Sequence, residues 1–163
     1  MTDRLADIER RLEKLEDERE IARLIAAYGP LVDAGDVERV AALWVPDGVY
    51  DVGDWLMSGR TEVAAMVRSD AHQGLIARGC CHFFGPPVIT VDGDEAVAVC
   101  ESTLLVRRDS GGYSVARAGV HLLRLRRESD AWRIVSRTAR GLDGTAAARD
   151  LIAEGLGGGG ERP

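Results

Sequence analysis

The stretch RAGVHLLRLRRESDAWRIVSRTAR, residues 117–140, decides the fold class. Leu123 and Leu125 point to one side, and the arginine that follows each of them points to the other, which is the period of a half-buried β-strand. The polar segment ESD then indicates a turn, and a second run of alternating residues follows it. The stretch therefore predicts two long antiparallel strands, at about 113–127 and 131–140.

The residues that precede this stretch show the same pattern of apolar strands separated by polar turns. Two further strands are predicted at about 82–91 and 95–107, separated by the turn DGDE, and a DSGG turn leads into the strand at 113. Earlier, VPDGVYDVGDW indicates short strands and turns, and SGRTEVAAMVRS indicates a helix. Helices that precede a run of hairpin-connected strands predict the α+β class, with a meandering antiparallel sheet.

The N-terminal segment predicts an amphipathic helix with a narrow apolar stripe. Leu5, Ile8, Leu12 and Leu15 recur at three- and four-residue spacing among charged residues, which is typical of a coiled-coil seam. We interpret residues 1–20 as a helical extension. Because a helix of this length is marginal alone in water, the stripe predicts a homo-oligomer.

The domain itself is predicted to span residues 21–155, where the apolar face of the first helix becomes wider. Gly29-Pro30 is predicted to interrupt that helix with a kink, because proline removes a backbone hydrogen bond. Asp36 predicts the N-cap of a short second helix. GTAAARDLIAEGL indicates a last helix, and the Gly-rich residues 156–163 are predicted to form a disordered tail.

Composition argues against several classes of function. The chain has 163 residues, enough for one domain, and a net charge of −6 without a basic stripe, so nucleic acid is not an expected partner. No apolar stretch is long enough to span a bilayer, and the start is charged throughout, so we expect a cytoplasmic protein without membrane contact. Three cysteines, two of them adjacent, predict free thiols rather than a disulfide framework.

The sequence CCH at residues 80–82 raises the question of a metal site. Adjacent cysteines on a strand point to opposite faces, whereas zinc sites need spacing that lets both thiolates converge. We therefore predict no metal. His121 shares the face of the strand leucines, so it is either a hydrogen-bonded core histidine or part of a polar cluster, with His82, in an apolar cavity.

Other residues leave two interpretations open. Tyr50, Trp44 and Trp55 are either core aromatics or ligand contacts in the same cavity. Asp33, in VDAGD, is either a loop residue bonded to nearby backbone or a carboxylate that faces the cavity.

Four segments together resemble the SnoaL-like branch of the NTF2-like superfamily: IARLIAAYGPLVDAGDVERVAALWVPDGVYDV, GRTEVAAMV, CCHFFGPPVITVDGDEAVAV and the strand pair that opens this section. The branch includes scytalone dehydratase, the bile-acid 7α-dehydratases and the lindane dehydrochlorinase. The resemblance implies a cone of curved antiparallel sheet and helices around a pocket. It also implies that Asp33 and His82 are catalytic, with Tyr28 and His121 in the substrate pocket.

The resemblance further implies a cofactor-independent lyase, of dehydratase type, on a small hydrophobic and cyclic substrate. A ketosteroid-isomerase-like reaction remains an alternative, because it needs the same base and oxyanion donor. A non-catalytic binding or assembly module, or a protein like the β subunit of a ring-hydroxylating dioxygenase, is the other alternative. Relatives imply a trimer or a dimer. The chain departs from the pattern in the 95–107 strand, where Leu104 to Arg107 stand in place of the family's second catalytic group.

Overall fold

The computed structural model describes residues 2–157, with side chains from residue 4 onward. Helices and strands follow one another as α1 (Thr2–Asp33), α2 (Val37–Ala42), β1 (Trp44–Asp51), β2 (Leu56–Ser58), α3 (Arg60–Arg68), α4 (Asp70–Arg78), β3 (Cys80–Phe84), β4 (Val88–Asp92), β5 (Glu95–Arg107), β6 (Tyr113–Glu128), β7 (Ala131–Gly141) and α5 (Ala146–Gly155). The α+β class and the three long strands are confirmed.

The sheet has the order β2-β1-β7-β6-β5-β3, and β4 also pairs with β5. Paired strands are antiparallel except β1 and β7, which are parallel. The meander predicted from the sequence covers β5, β6 and β7, and the sheet as a whole is mixed. The single strand predicted at 82–91 was wrong. Gly85-Pro86-Pro87 divides it into β3 and β4, because two successive prolines cannot donate to a ladder.

Helix α1 is continuous through Pro30 to Asp33, so the predicted interruption at Gly29-Pro30 was wrong, whereas the kink stays a prediction. Proline is accommodated near the end of the helix, where its carbonyl still accepts a 3.0 Å hydrogen bond from the Ala34 N–H. Gly29 has a different role. A Cβ added there would lie 2.0 Å from the carbonyl oxygen of His82, so glycine lets α1 pack directly against β3.

Helices cover both faces of the sheet. Helix α1 packs against β3 and β4 on the face that we call the inner face, and α5 packs against β5 and β6 on the other. On the outer side Val99, Val120 and Leu122 form a small apolar cluster with α5, which is why the middle of β6 is buried on both faces.

Helix α1 runs without a break across the predicted boundary at residue 20, and its core contacts begin at the fully buried Ile21. Most of the predicted tail, residues 158–163, lies outside the described residues. Within the part of the chain that the structure describes, no helix combines the length and the apolar character needed to cross a membrane.

Candidate functional site

Strand register places the chemistry-bearing side chains on the inner face of the sheet. His82 lies opposite Leu104, and Phe84 lies opposite Ser102 in the same strand pair. Residues directly opposite one another in a ladder point to the same face. His121 joins this face because its partner on β5, Cys100, is two residues before Ser102.

The side chains enclose a cavity of about 200 Å³ between the inner face and the helices. Apolar side chains from helices and strands make up most of its walls. The lining residues are Tyr28, Val32, Tyr50, Val52, Trp55, Met57, Met66, His72, Leu75, His82, Phe84, Ser102, Thr103, Leu104, Arg117, His121 and Arg137. A cavity with a few convergent polar groups in apolar walls has the character of a small-molecule site.

Four aromatic residues were predicted to contact a ligand, and three of them line the cavity. Tyr28 and Tyr50 are buried and line it, and Trp55 lines it while remaining half exposed. Trp44 is fully buried in the core, with its ring 5.7 Å from that of Tyr50, and it is not part of the lining. The structure places Trp44 as a packing residue behind the cavity wall.

Asp33 and His82 form a close pair. Asp33 Oδ1 lies 2.6 Å from His82 Nδ1, and Asp33 Oδ2 accepts a 2.8 Å hydrogen bond from the backbone N–H of the same histidine. The carboxylate therefore holds both the backbone of β3 and the imidazole ring. The thiol of Cys80 donates a further hydrogen bond to Oδ1, at 3.3 Å. Asp33 reaches this position because it is the last residue of α1, which packs against β3.

The electrostatics favour a neutral His82 that can accept a proton. Burial lowers its pKa, and the hydrogen bond and charge of Asp33 oppose that effect without cancelling it. In the neutral ring we assign the proton to Nδ1, because the carboxylate that faces this atom only accepts. Nε2 is then the basic atom of a side chain that lines the cavity.

Arg137 forms a second polar cluster with aromatic rings and His121. Its guanidinium carbon lies 4.3 Å from the Tyr28 ring centroid, 4.5 Å from that of Tyr50 and 5.0 Å from that of Phe84. Its Nε and Nη2 lie 3.2 and 3.1 Å from His121 Nδ1. Arg137 is buried, and in the described part of the chain no carboxylate forms an ion pair with it, so the rings stabilise its charge.

Comparison with known proteins gives the family. The SnoaL-like domain matches residues 13–138, which is most of the chain. The chain belongs to the SnoaL-like family. Among solved structures, an NTF2-like protein with a cystatin-like fold from Novosphingobium aromaticivorans is 42% identical, with a TM-score of 0.88, and the alignment covers 91% of this chain and 96% of that one. The predicted SnoaL-like, NTF2-like membership is confirmed.

More distant structures share the fold of this SnoaL-like chain. A protein of unknown function from Mycobacterium tuberculosis is 23% identical with a TM-score of 0.73, and the alignment covers 89% of each chain. The β subunit of a proposed aromatic-ring-hydroxylating dioxygenase from Novosphingobium aromaticivorans is 23% identical with a TM-score of 0.66, covering 78% of this chain and 90% of that one. No curated protein matches the sequence.

His72 and Arg137 also belong to this SnoaL-like site, and neither was selected from the sequence. His72 is buried with its ring 5.7 Å from that of His82, and its Nε2 donates a 3.0 Å hydrogen bond to the Val32 carbonyl. Its helix, α4, was not predicted. Arg137 was placed on the last strand without a role. Strand parity places it only once the register is known, because two residues later on the same face Ala139 lies opposite the buried His121.

The Asp33 pair also bears on metal binding. Within the described residues, Asp33, Cys80 and His82 are the group whose potential ligand atoms all lie within 4.8 Å of one another. Burial and the neighbouring carboxylate raise the pKa of the Cys80 thiol to about 11, which favours a protonated sulfur that donates to Asp33. The prediction that the SnoaL-like site takes no metal stays a prediction.

Proposed function

We propose that this protein is a cofactor-independent lyase that eliminates water from a small hydrophobic, cyclic substrate. The observation that carries the proposal is the 2.6 Å contact between Asp33 and His82, whose imidazole lines a mostly apolar cavity. A carboxylate that fixes the tautomer of a histidine and stabilises its imidazolium form is a recurrent arrangement in acid–base catalysis. The apolar walls favour a hydrophobic substrate, and the small volume favours a small one.

The reaction would proceed through one proton carrier. His82 Nε2 takes a proton from the carbon next to a carbonyl, and Asp33 stabilises the imidazolium that forms. The electron pair of the broken C–H bond forms the enolate. As the C=C bond then forms, the C–O bond at the β-carbon breaks, and the imidazolium returns its proton to the leaving oxygen, which departs as water. The base is neutral again after each turnover, and no redox partner is required.

The charge that develops on the substrate oxygen needs hydrogen-bond donors in the cavity wall. Tyr28 offers one, because its buried hydroxyl has no hydrogen-bond partner among residues 4–157. Burial raises the pKa of this hydroxyl further above its ordinary value, which keeps it protonated as a donor. The charge of Arg137, against the Tyr28 ring, favours a negative oxygen in the same region.

Isomerisation of an enone uses the same groups and remains the alternative reaction. It differs only in that the imidazolium returns the proton to another carbon. A non-catalytic binding or assembly role would use the cavity without the base. A role like that of a dioxygenase β subunit is supported only by a likeness of fold, since that subunit is 23% identical to this chain.

The test is a kinetic screen with cyclic β-hydroxyketones and cyclic enones, followed by the absorbance of the conjugated product. We expect turnover of at least one compound, and a loss of about 10²-fold or more in kcat for His82→Gln, a change that removes the base. Cys81→Ala is the matched control, because Cys81 is adjacent on β3 and does not line the cavity. Full activity of His82→Gln, or no turnover of any compound by the wild-type protein, would contradict the proposal.

Self-association and a cytoplasmic location also belong to the proposal. Leu5, Ile8, Leu12 and Leu15 are between 49% and 62% exposed along the first half of α1, so the single chain leaves this apolar stripe open to solvent. A second copy of the same stripe would cover it in the manner of a coiled coil. We propose a homo-oligomer, a dimer or a trimer.

A further inference from the structure

Ser102 lies in the cavity wall beside His121, and the mechanism proposed above gives it no role. Its Oγ is 2.6 Å from His121 Nε2. Gly119 lies opposite Ser102 on β6, so no side chain from that position covers the hydroxyl. The contact joins Ser102 to the Arg137 cluster through a single imidazole.

The direction of each hydrogen bond follows from the donors available. A guanidinium only donates, so His121 Nδ1, which faces Arg137 at 3.1 to 3.2 Å, must be the acceptor. The neutral ring then carries its proton on Nε2 and donates it to Ser102 Oγ. Burial and the charge of Arg137 both lower the pKa of His121, which agrees with a neutral ring.

This arrangement leaves the hydroxyl proton of Ser102 free. The Oγ atom already accepts from His121, and among residues 4–157 no acceptor receives the Ser102 proton. Donation from His121 also polarises the hydroxyl, because hydrogen bonds in a chain strengthen one another. Both nitrogens of His121 are occupied, so the imidazole itself has no N–H left for a ligand.

We propose that Ser102 is a second hydroxyl, in addition to that of Tyr28, that binds the carbonyl oxygen of the substrate, with His121 and Arg137 as its positioning residues. This assignment rests on the proposed function for its catalytic meaning. It specifies a carbonyl compound as the substrate, because the cavity then holds a base at His82 and a donor for a carbonyl oxygen at Ser102. As the enolate forms, the developing negative charge shortens and strengthens the Ser102 hydrogen bond.

The test uses substituted phenols as probes, since a phenolate oxygen resembles that of an enolate. Titration with 4-nitrophenol and less acidic phenols gives the affinity and its dependence on phenol pKa. We expect Ser102→Ala to weaken phenolate binding about tenfold or more and to flatten that dependence, while Ser102→Thr, which keeps the hydroxyl, retains both. Ser136→Ala is the matched control, because it removes a hydroxyl from the residue beside Arg137 that does not line the cavity.

His121 is tested as a positioning residue by a double-mutant cycle. His121→Phe should weaken phenolate binding in the wild-type protein and have little further effect in Ser102→Ala, because it acts through that hydroxyl. Equal phenolate affinity of Ser102→Ala and wild type, additive effects of the two changes, or no phenol binding by the wild-type protein would overturn the proposal. If phenolate binding depends on Ser102 while His82→Gln retains full turnover, the donor site stands and the lyase mechanism fails.

Discussion

Replacing Gly29 with alanine tests how closely the site depends on the packing of α1 against β3. Helix propensity alone predicts that Gly→Ala inside a helix stabilises the protein by about 0.5–1 kcal/mol. The added Cβ at this position would lie 2.0 Å from the carbonyl oxygen of His82, and contacts under 3.0 Å essentially do not occur. The two backbones must therefore separate by about 1 Å, the kind of backbone shift that overpacking imposes on a core.

We expect Gly29→Ala to lower the free energy of unfolding by about 1–3 kcal/mol, the usual range for overpacking, instead of raising it. Because Asp33 and His82 lie on the two elements that separate, turnover should fall by about 10²-fold in the same variant. Urea unfolding and the kinetic screen measure the two effects. Gly74→Ala is the control, since it lies in α4 with nothing within 4 Å of the added Cβ. Stabilisation of Gly29→Ala equal to that of the control would refute the close packing.

Burial and exposure lead to three further predictions. Burial lowers the pKa of His121, so below about pH 6.5 the unfolded state binds the proton first, and the free energy of unfolding should fall with falling pH by up to about 1.4 kcal/mol per pH unit. Urea unfolding at several pH values should show a shallower dependence on pH in His121→Gln. An unchanged dependence would count against a neutral buried ring. Since burial raises the pKa of Cys80 to about 11, its thiol should react with iodoacetamide at about pH 8 roughly 100-fold more slowly than a free thiol. Mass spectrometry of the labelled peptides measures the rate, and labelling of Cys80 at the rate of a free thiol would contradict the prediction. Leu12→Glu should lower the fraction of oligomer in sedimentation experiments, whereas Lys14→Glu should not. An unchanged mass in both variants would show that the apolar stripe of α1 does not form the interface.

The fold class and the long strands could be predicted because β5, β6 and β7 carry strong alternation between well-marked turns. Prediction failed where tertiary packing overrode a local signal. Gly29-Pro30 indicated an interruption, but α1 continues because Pro30 lies near its end, and the adjacent Gly29 serves the contact with β3. The parallel pairing of β1 with β7 joins strands far apart in sequence, which no local pattern specifies.

The site could be predicted only in part. Asp33 and His82 were selected through the family resemblance, and the structure brings them together. Trp44 was included because aromatics near a pocket cannot be divided into wall and core from sequence. Arg137 and Ser102 were missed because a single arginine or serine in a strand carries no signal until the register places it beside His121.

The central claim is that His82, oriented by Asp33, abstracts a proton from carbon, and exchange of that proton with solvent tests it most directly. The protein is incubated in D₂O with the cyclic ketones of the screen, and ¹H NMR follows loss of the signal beside the carbonyl. Because burial lowers the pKa of His82, we predict exchange that rises with pH to a plateau with a midpoint below about 6.5. Exchange should fall by about 10²-fold or more in Asp33→Asn and in His82→Gln. Exchange at the wild-type rate in His82→Gln, or none by the wild-type protein with any ketone, would contradict the account.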